Sequence, residues 1–327
     1  MAGCRTSFPR RVLAGLFTAG VACALACYLW KNRGELGVLL TARPEYLLGV
    51  FALQAVQNMA RALVDRLVLG AQGVVLSLTE SYWLSSAASA GEMFLPEGGT
   101  AVRAVYLKRR HALGYVAFVQ AILAIAPARW MIDVLLAAAC VVPALLAMGH
   151  EEAALACALA ACALAAVVVL SGRMGRGRGL RPPGYIQGIV QGWLTLCKRP
   201  MLLARICGML IFVRVCQVLA CWCGAKATGM DLDLYQAAAI TIATVMATAV
   251  TLIPGDLGIS EAVGGFSAGM IGIRPVEGVA IALVSRAVYM ARCAVIGPVA
   301  VWQLRRKPAH EPDHILAPTE ELRSRAA

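Results

Sequence analysis

Nine ionisable side chains stand inside otherwise apolar stretches of this sequence: Glu80, Glu92, Arg129, Asp133, Arg205, Arg214, Glu261, Arg286 and Arg292. A charge in that setting is costly unless it is paired, reaches an interface or lines a wet cavity, so each is a candidate for function. The guanidinium group is a planar fork of donors that fits phosphate or carboxylate, and Arg103, just before a basic loop, offers another one. Arg205 and Arg292 have a plainer reading, because a long basic side chain can snorkel to a polar interface. Bond-breaking chemistry has less to stand on. His111, His150, His310 and His314 fall in loops and tail, and no spacing joins two of them into a zinc site. Asp231-Leu232-Asp233 mimics a metal-binding pair but reads as a solvated turn, and no serine elbow or phosphate loop is visible. No catalytic residue, metal or cofactor is assigned, and the sequence reads as non-enzymatic.

The elements that hold these charges are membrane helices. Of 327 residues, 60% are hydrophobic and 15% charged, with mean hydropathy +0.73. A soluble domain is nearer half apolar and a quarter charged. The runs Val12–Trp30, Ala153–Ser171 and Met201–Ala225 each approach the roughly 20 residues that cross a hydrocarbon core. In lipid such runs must be helical to satisfy their own backbone. The cysteines lie mostly within the runs and read as small apolar residues, and the alanines and glycines as contact positions between closely approaching helices. Arg10 and Arg11 precede the first run, which is long for a signal core and reads as a retained helix.

Charge sets the expected topology. Helices over 12–30 and 45–64 bring the chain back to Arg61 and Arg66 on the side of the N-terminus. A simple crossing at 74–96 would then put Arg103, Lys108, Arg109 and Arg110 outside, against the positive-inside tendency. Residues 74–103 are therefore expected to form a re-entrant hairpin. Residues 113–149 cross once, broken near Pro127, and 153–171 return. Residues 185–199 form a surface helix, 201–224 cross, 234–271 hold two arms around a turn, and 276–304 cross to Arg305, Arg306 and Lys307. The expected protein is an all-α polytopic bundle in the inner (cell) membrane with both termini cytoplasmic. A single membrane domain spans 1–307, its halves (about 1–171 and 185–307) joined by the basic linker 172–184, followed by a disordered tail over 308–327. The net charge of +12 reads as a surface facing anionic lipid, not nucleic acid.

Two apolar segments are broken by similar turns, Phe94-Leu95-Pro96-Glu97-Gly98-Gly99 and Leu252-Ile253-Pro254-Gly255-Asp256-Leu257-Gly258. Paired Gly/Pro breaks in corresponding halves fit a transporter made of inverted repeats, with half-helix ends exposed at mid-membrane. Two ordinary helix–loop–helix turns fit equally well.

The stretch Leu95–Ala104 with its basic loop, Ile253–Ala262, and Ser285-Arg286-Ala287-Val288-Tyr289 resemble the transmembrane region of lysylphosphatidylglycerol synthases, which also occurs as a free-standing flippase-like protein. The resemblance covers about residues 10–305. In two places the chain departs from the family pattern: Thr100 stands where a glutamate is usual, and Ala128-Arg129 with Asp133 replaces a Glu-Arg pair. The resemblance implies translocation of a polar or anionic lipid between leaflets, without the aminoacyl-transfer activity of the synthases' soluble domain. A lipid-modifying transferase, or a non-transporting partner subunit of a lipid-biosynthesis enzyme, are the alternatives. Phospholipids or other polar lipids are the expected partners, with a biosynthetic enzyme or a second copy of the chain also allowed. The pathway candidates are Glu92, Pro96, Gly98, Gly99, Arg103, Arg129, Asp133, Pro254, Gly255, Gly258, Glu261, Arg286 and Tyr289. Glu261 and Arg286 are expected to pair beside a polar cavity.

Overall fold

The computed structural model describes residues 42–94, 97–147, 151–174, 184–248 and 258–306. These are almost entirely α-helical. The first two helices, α1 (Pro44–Ala71) and α2 (Leu78–Phe94), are followed by α3 (Gly98–His111), α4 (Tyr115–Ala124), α5 (Ala126–Ala147) and α6 (Glu151–Met174). Then come α7 (Gly184–Cys197), α8 (Pro200–Ala227), α9 (Leu234–Thr248), α10 (Ile259–Met270) and α11 (Pro275–Arg306). Four stretches are long and apolar enough to cross a bilayer: α1, the α4–α5 stretch over Tyr115–Pro143, α8 and α11. Their outward residues, such as Leu48, Ile211 and Val295, are exposed and apolar, as a surface bathed in lipid must be.

The chain runs through one pattern twice: a span, a helical hairpin, a span. In the first round these are α1, the α2–α3 pair (hairpin one) and α4–α5. In the second they are α8, the α9–α10 pair (hairpin two) and α11. The opening spans share their punctuation. Each has 28 residues and starts with proline at its first turn, after Arg43 or Arg199, where the missing N–H is no loss. Each ends at a glycine with positive φ, Gly73 at 86° or Gly229 at 74°. The separation between Pro44 and Pro200 equals that between Gly73 and Gly229, and that between the hairpin starts Leu78 and Leu234.

The two rounds point opposite ways. The Arg43 N–H, at the start of α1, donates to the Ala227 carbonyl at the end of α8, 2.8 Å away. At the far end Ile206 of α8 packs in one cluster with Val68 and Leu69 of α1. The spans are therefore antiparallel and the repeat is inverted. The hairpins enter from opposite ends. The base of hairpin one is closed where Glu80 accepts from the Tyr106 hydroxyl at 2.7 Å, beside His111 at 3.0 Å and Arg110 at 3.3 Å. The base of hairpin two is the cluster of Leu232, Ala237, Ala268 and Ile281 at the other end.

Charge divides with the ends. Lys108, Arg109, Arg110, Arg199, Arg305 and Arg306 gather at the base of hairpin one. At the opposite end two of the bases have acidic partners: Lys226 bonds Asp231, holding that exposed carboxyl below its ordinary range, and Arg274 bonds Glu277 at 2.6 Å.

Expected and observed elements differ in length more than in kind. The second helix, expected to end near 64, continues to Ala71. The long crossing breaks at Ile125, two residues before Pro127. The expected surface helix, α7, lies against α4 and buries Trp193 and Leu196. The first expected helix, most of the 172–184 linker and the tail fall outside the described residues.

Candidate functional site

Hairpin one is fastened to α1 by hydroxyls. The Asn58 amide donates to Ser86 at 2.9 Å, Ser85 donates back to the Asn58 carbonyl oxygen at 3.0 Å, and Ser81 donates to the Ala62 carbonyl at 2.6 Å. Tyr289 of α11 completes the frame by donating to the Ser89 carbonyl at 3.1 Å. Small polar residues suit this task, since they let helices approach closely and satisfy one another where water is scarce.

Within that frame the helices bring a set of charges together, and this cluster is the chamber. On α1, Arg61 and Asp65 are one turn apart; on α5, so are Arg129 and Asp133. Arg103 of α3, Arg214 of α8 and Glu92 of α2 complete the set, and each of these groups is in electrostatic reach of at least two others. Their pairing is uneven. Arg214 grips Asp133 with both prongs, Nε to Oδ1 and Nη2 to Oδ2 at 2.7 Å each, and gives its third group to Gln217 at 2.7 Å. That pair is almost fully buried. Arg103 meets Asp65 more loosely at 3.4 Å. Among the described residues, Arg61, Arg129 and Glu92 make no direct ion pair. Arg61 is half-buried and Arg129 is exposed, so both guanidinium groups remain accessible. Arg292, 3% exposed, leans over the Tyr289 ring with its carbon 5.1 Å from the centroid, and its Nε has no partner among the described residues. The chamber therefore holds more cation than anion.

Glu92 is seated by a glycine. A Cβ on Gly99 would come within 2.3 Å of Glu92 Oε1 and 2.8 Å of the Ala88 carbonyl. The carboxylate thus lies over the opening turn of α3, where the helix dipole favours a negative charge.

The second polar centre lies on α10 and α11. Arg286 Nε is 3.1 Å from Glu261 Oε1, so the expected pair forms. The other oxygen, Oε2, accepts the Gly258 N–H and the Ser260 hydroxyl, each at 2.9 Å. Glu261 has no accessible surface at all, whereas Arg286 keeps a little. Glu261 acts from inside the protein, by capping α10 and fixing that arginine.

Of the residues singled out from sequence, the structure gathers Glu92, Gly99, Arg103, Arg129, Asp133 and Tyr289 at the chamber, with Gly98 buried beside them. It places Gly258, Glu261 and Arg286 at the second centre. Pro96, Pro254 and Gly255 lie outside the described residues. Helix α11 packs against both hairpins and stands between their described arms. The sequence reading takes Arg61, with Arg66, as a basic residue at a helix end, does not single out Asp65, and names Arg214 only as a charge within an apolar stretch. The repeated Arg-x-x-x-Asp spacing was the available signal.

A family described as the lysylphosphatidylglycerol synthase TM region matches residues 11–297. No curated protein and no solved structure matches the chain.

Proposed function

Because this chain belongs to the lysylphosphatidylglycerol synthase TM-region family, we propose that it moves a polar lipid with a phosphate-bearing, anionic head group between leaflets, and that the chamber around Arg61 and Arg129 receives the head group. The chain is a membrane protein of a family concerned with membrane lipids; the transport role is our reading. One observation carries it. Two chamber arginines are paired to Asp65 and Asp133, while Arg61 and Arg129 make no ion pair among the described residues and have only Glu92 in electrostatic reach as an unpaired anion. An excess of guanidinium inside a membrane bundle is costly and is relieved by a phosphate, to which an accessible arginine fork can donate. The basic end is the cytoplasmic one in this reading, with the chain in the cell membrane and both termini inside.

Purified protein in proteoliposomes with fluorescent phosphatidylglycerol in the outer leaflet provides the test. Wild type is expected to expose the probe in both leaflets to exchange. The Arg61→Gln, Arg129→Gln double variant is expected to slow it about tenfold with unchanged thermal stability, the equivalent of one lost charge-assisted contact. Absence of movement by wild type overturns the reading, and turnover of the head group in the same vesicles would replace it with a transferase.

A further inference from the structure

A cavity of about 500 Å³ lies outside the chamber, between hairpin one and α11. Cys293 and Gly297 form its buried floor, Ala90 and Met93 of α2 one wall, and Ala294 and Val301 the exposed lip. Its surface is apolar along its length and ends at Arg305, on the basic end of the bundle. Beside that mouth Arg306 stacks on Trp302, its carbon 3.4 Å from the ring centroid. Aromatic and basic residues together mark the head-group level of a bilayer.

We propose that this groove is a slot for one acyl chain of an anionic phospholipid drawn from the leaflet at the basic end, with Arg305 meeting the phosphate at the mouth. The proposal deepens the transport reading and rests on it for its purpose, though not for its test. Three features favour a lipid tail. From Cys293 to Arg305 a helix rises roughly 18 Å, close to half of the roughly 30 Å hydrocarbon core, so the groove has the depth of one leaflet. Its inner end adjoins the chamber, since Cys293 on its floor is in electrostatic reach of Glu92 and Arg292. Its mouth carries the charge that an anionic head group would seek.

The energetics fix what such a slot can do. A tail leaving the bilayer for an apolar groove exchanges one hydrocarbon environment for another, so burial alone gives almost no affinity. Orientation is the gain. A chain laid along α11 holds the head group at Arg305, one leaflet's depth below the chamber, and keeps the tail in an apolar surrounding as the head moves inward. Selectivity then belongs to the arginine at the mouth and to the chamber.

Photolabelling tests the slot separately from transport. Full-length protein in phosphatidylcholine nanodiscs receives a trace of phosphatidylglycerol with a diazirine in mid-tail. After irradiation, adducts are expected to concentrate on Met93, Cys293, Ala294, Val301 and Trp302. Ala294→Trp, on the exposed lip, and Arg305→Gln are each expected to lower that labelling about tenfold. Val295→Trp, on the neighbouring 65% exposed position, should leave it unchanged. Adducts spread evenly over lipid-facing residues such as Ile211 and Val167 overturn the slot. So does crosslinking of a photoreactive residue at 294 to residues 12–30 of the same chain or to a second copy, since either would be the occupant instead. Labelling without translocation in proteoliposomes leaves the slot standing and removes the transport reading. Translocation without groove labelling does the reverse.

Discussion

Hairpin one turns into its returning helix through Glu97 at φ 58°, whereas hairpin two does so through Gly258 at φ 82°. The third residue of the returning helix is Thr100 in the first and Glu261 in the second. Glu261 folds back onto the Gly258 N–H, satisfies one of the free donors of the helix start and is itself held by Arg286. Thr100 is too short to do so, and its hydroxyl instead donates to the exposed Glu97 carboxylate at 2.8 Å. The start of α3 is left to Glu92, which comes from the other arm and lies among arginines. One copy of the repeat is therefore closed by a carboxylate of its own, and the other is left open to a shared chamber. The two copies of the repeat thus differ in which of them keeps the seal.

The largest effect should come from breaking the seal. Glu261→Gln leaves Arg286 buried without its counter-charge, a change that typically costs about 3–5 kcal/mol. Thermal unfolding in detergent should show a large loss of stability, and Arg286→Gln should match it. The sequence alone led to a pair beside a polar cavity, whereas Glu261 in the structure has no accessible surface and braces the helix start. A Glu261→Gln protein as stable as wild type would mean that the second hairpin is as open as the first, and the contrast would fail.

Much of the fold was legible in the sequence. Hydropathy marks the spans, and the parity of basic loops leads to a hairpin at 74–103, because no other path keeps Arg103–Arg110 with the remaining positive charge. The chamber was only half legible, for a physical reason. Arg61 comes close to where an apolar run was expected to end, and a charge there reads as the end of the helix. Nothing local shows that α1 continues two turns further and carries Arg61 into the interior. Likewise Asp133 and Arg214 are far apart in sequence, and only the packing of α5 with α8 joins them.

A middling effect should separate the hairpins by how their arms touch. Hairpin two is bound to α11 by backbone contact: a Cβ on Gly278 would come within 2.2 Å of the Gly264 carbonyl and 2.6 Å of Ala268 Cβ. Gly278→Ala must push two helices apart, which should outweigh the roughly 1 kcal/mol that alanine gains over glycine in a helix. Overpacking of this kind costs about 1–3 kcal/mol. Gly99→Ala strikes Glu92 and the Ala88 carbonyl and should cost a similar amount, but it also displaces a chamber carboxylate. Both variants should lower the melting temperature, and only Gly99→Ala should change the lipid preference of translocation. Equal effects on preference would show that Glu92 is not read by the lipid.

The smallest effect bears most directly on the comparison. Thr100→Glu places at the start of hairpin one the residue that closes hairpin two. Its side chain can reach back to the Glu97 N–H, and a cap of this kind typically stabilises by about 1 kcal/mol. It also adds a negative charge beside Glu92 and cancels part of the cationic excess of Arg61 and Arg129. Movement of an anionic lipid should then fall about tenfold, equivalent to roughly 1.4 kcal/mol, while a zwitterionic probe should be less affected. Thr100→Val removes the hydroxyl contact with Glu97 but adds no charge, so it isolates the electrostatic part and should leave both rates near wild type. If Thr100→Glu and Thr100→Val behave alike, the open helix start matters only as structure. If the charged variant alone slows the anionic lipid, and more so at low ionic strength where screening is weak, then the missing carboxylate at position 100 is what keeps hairpin one receptive to an anion.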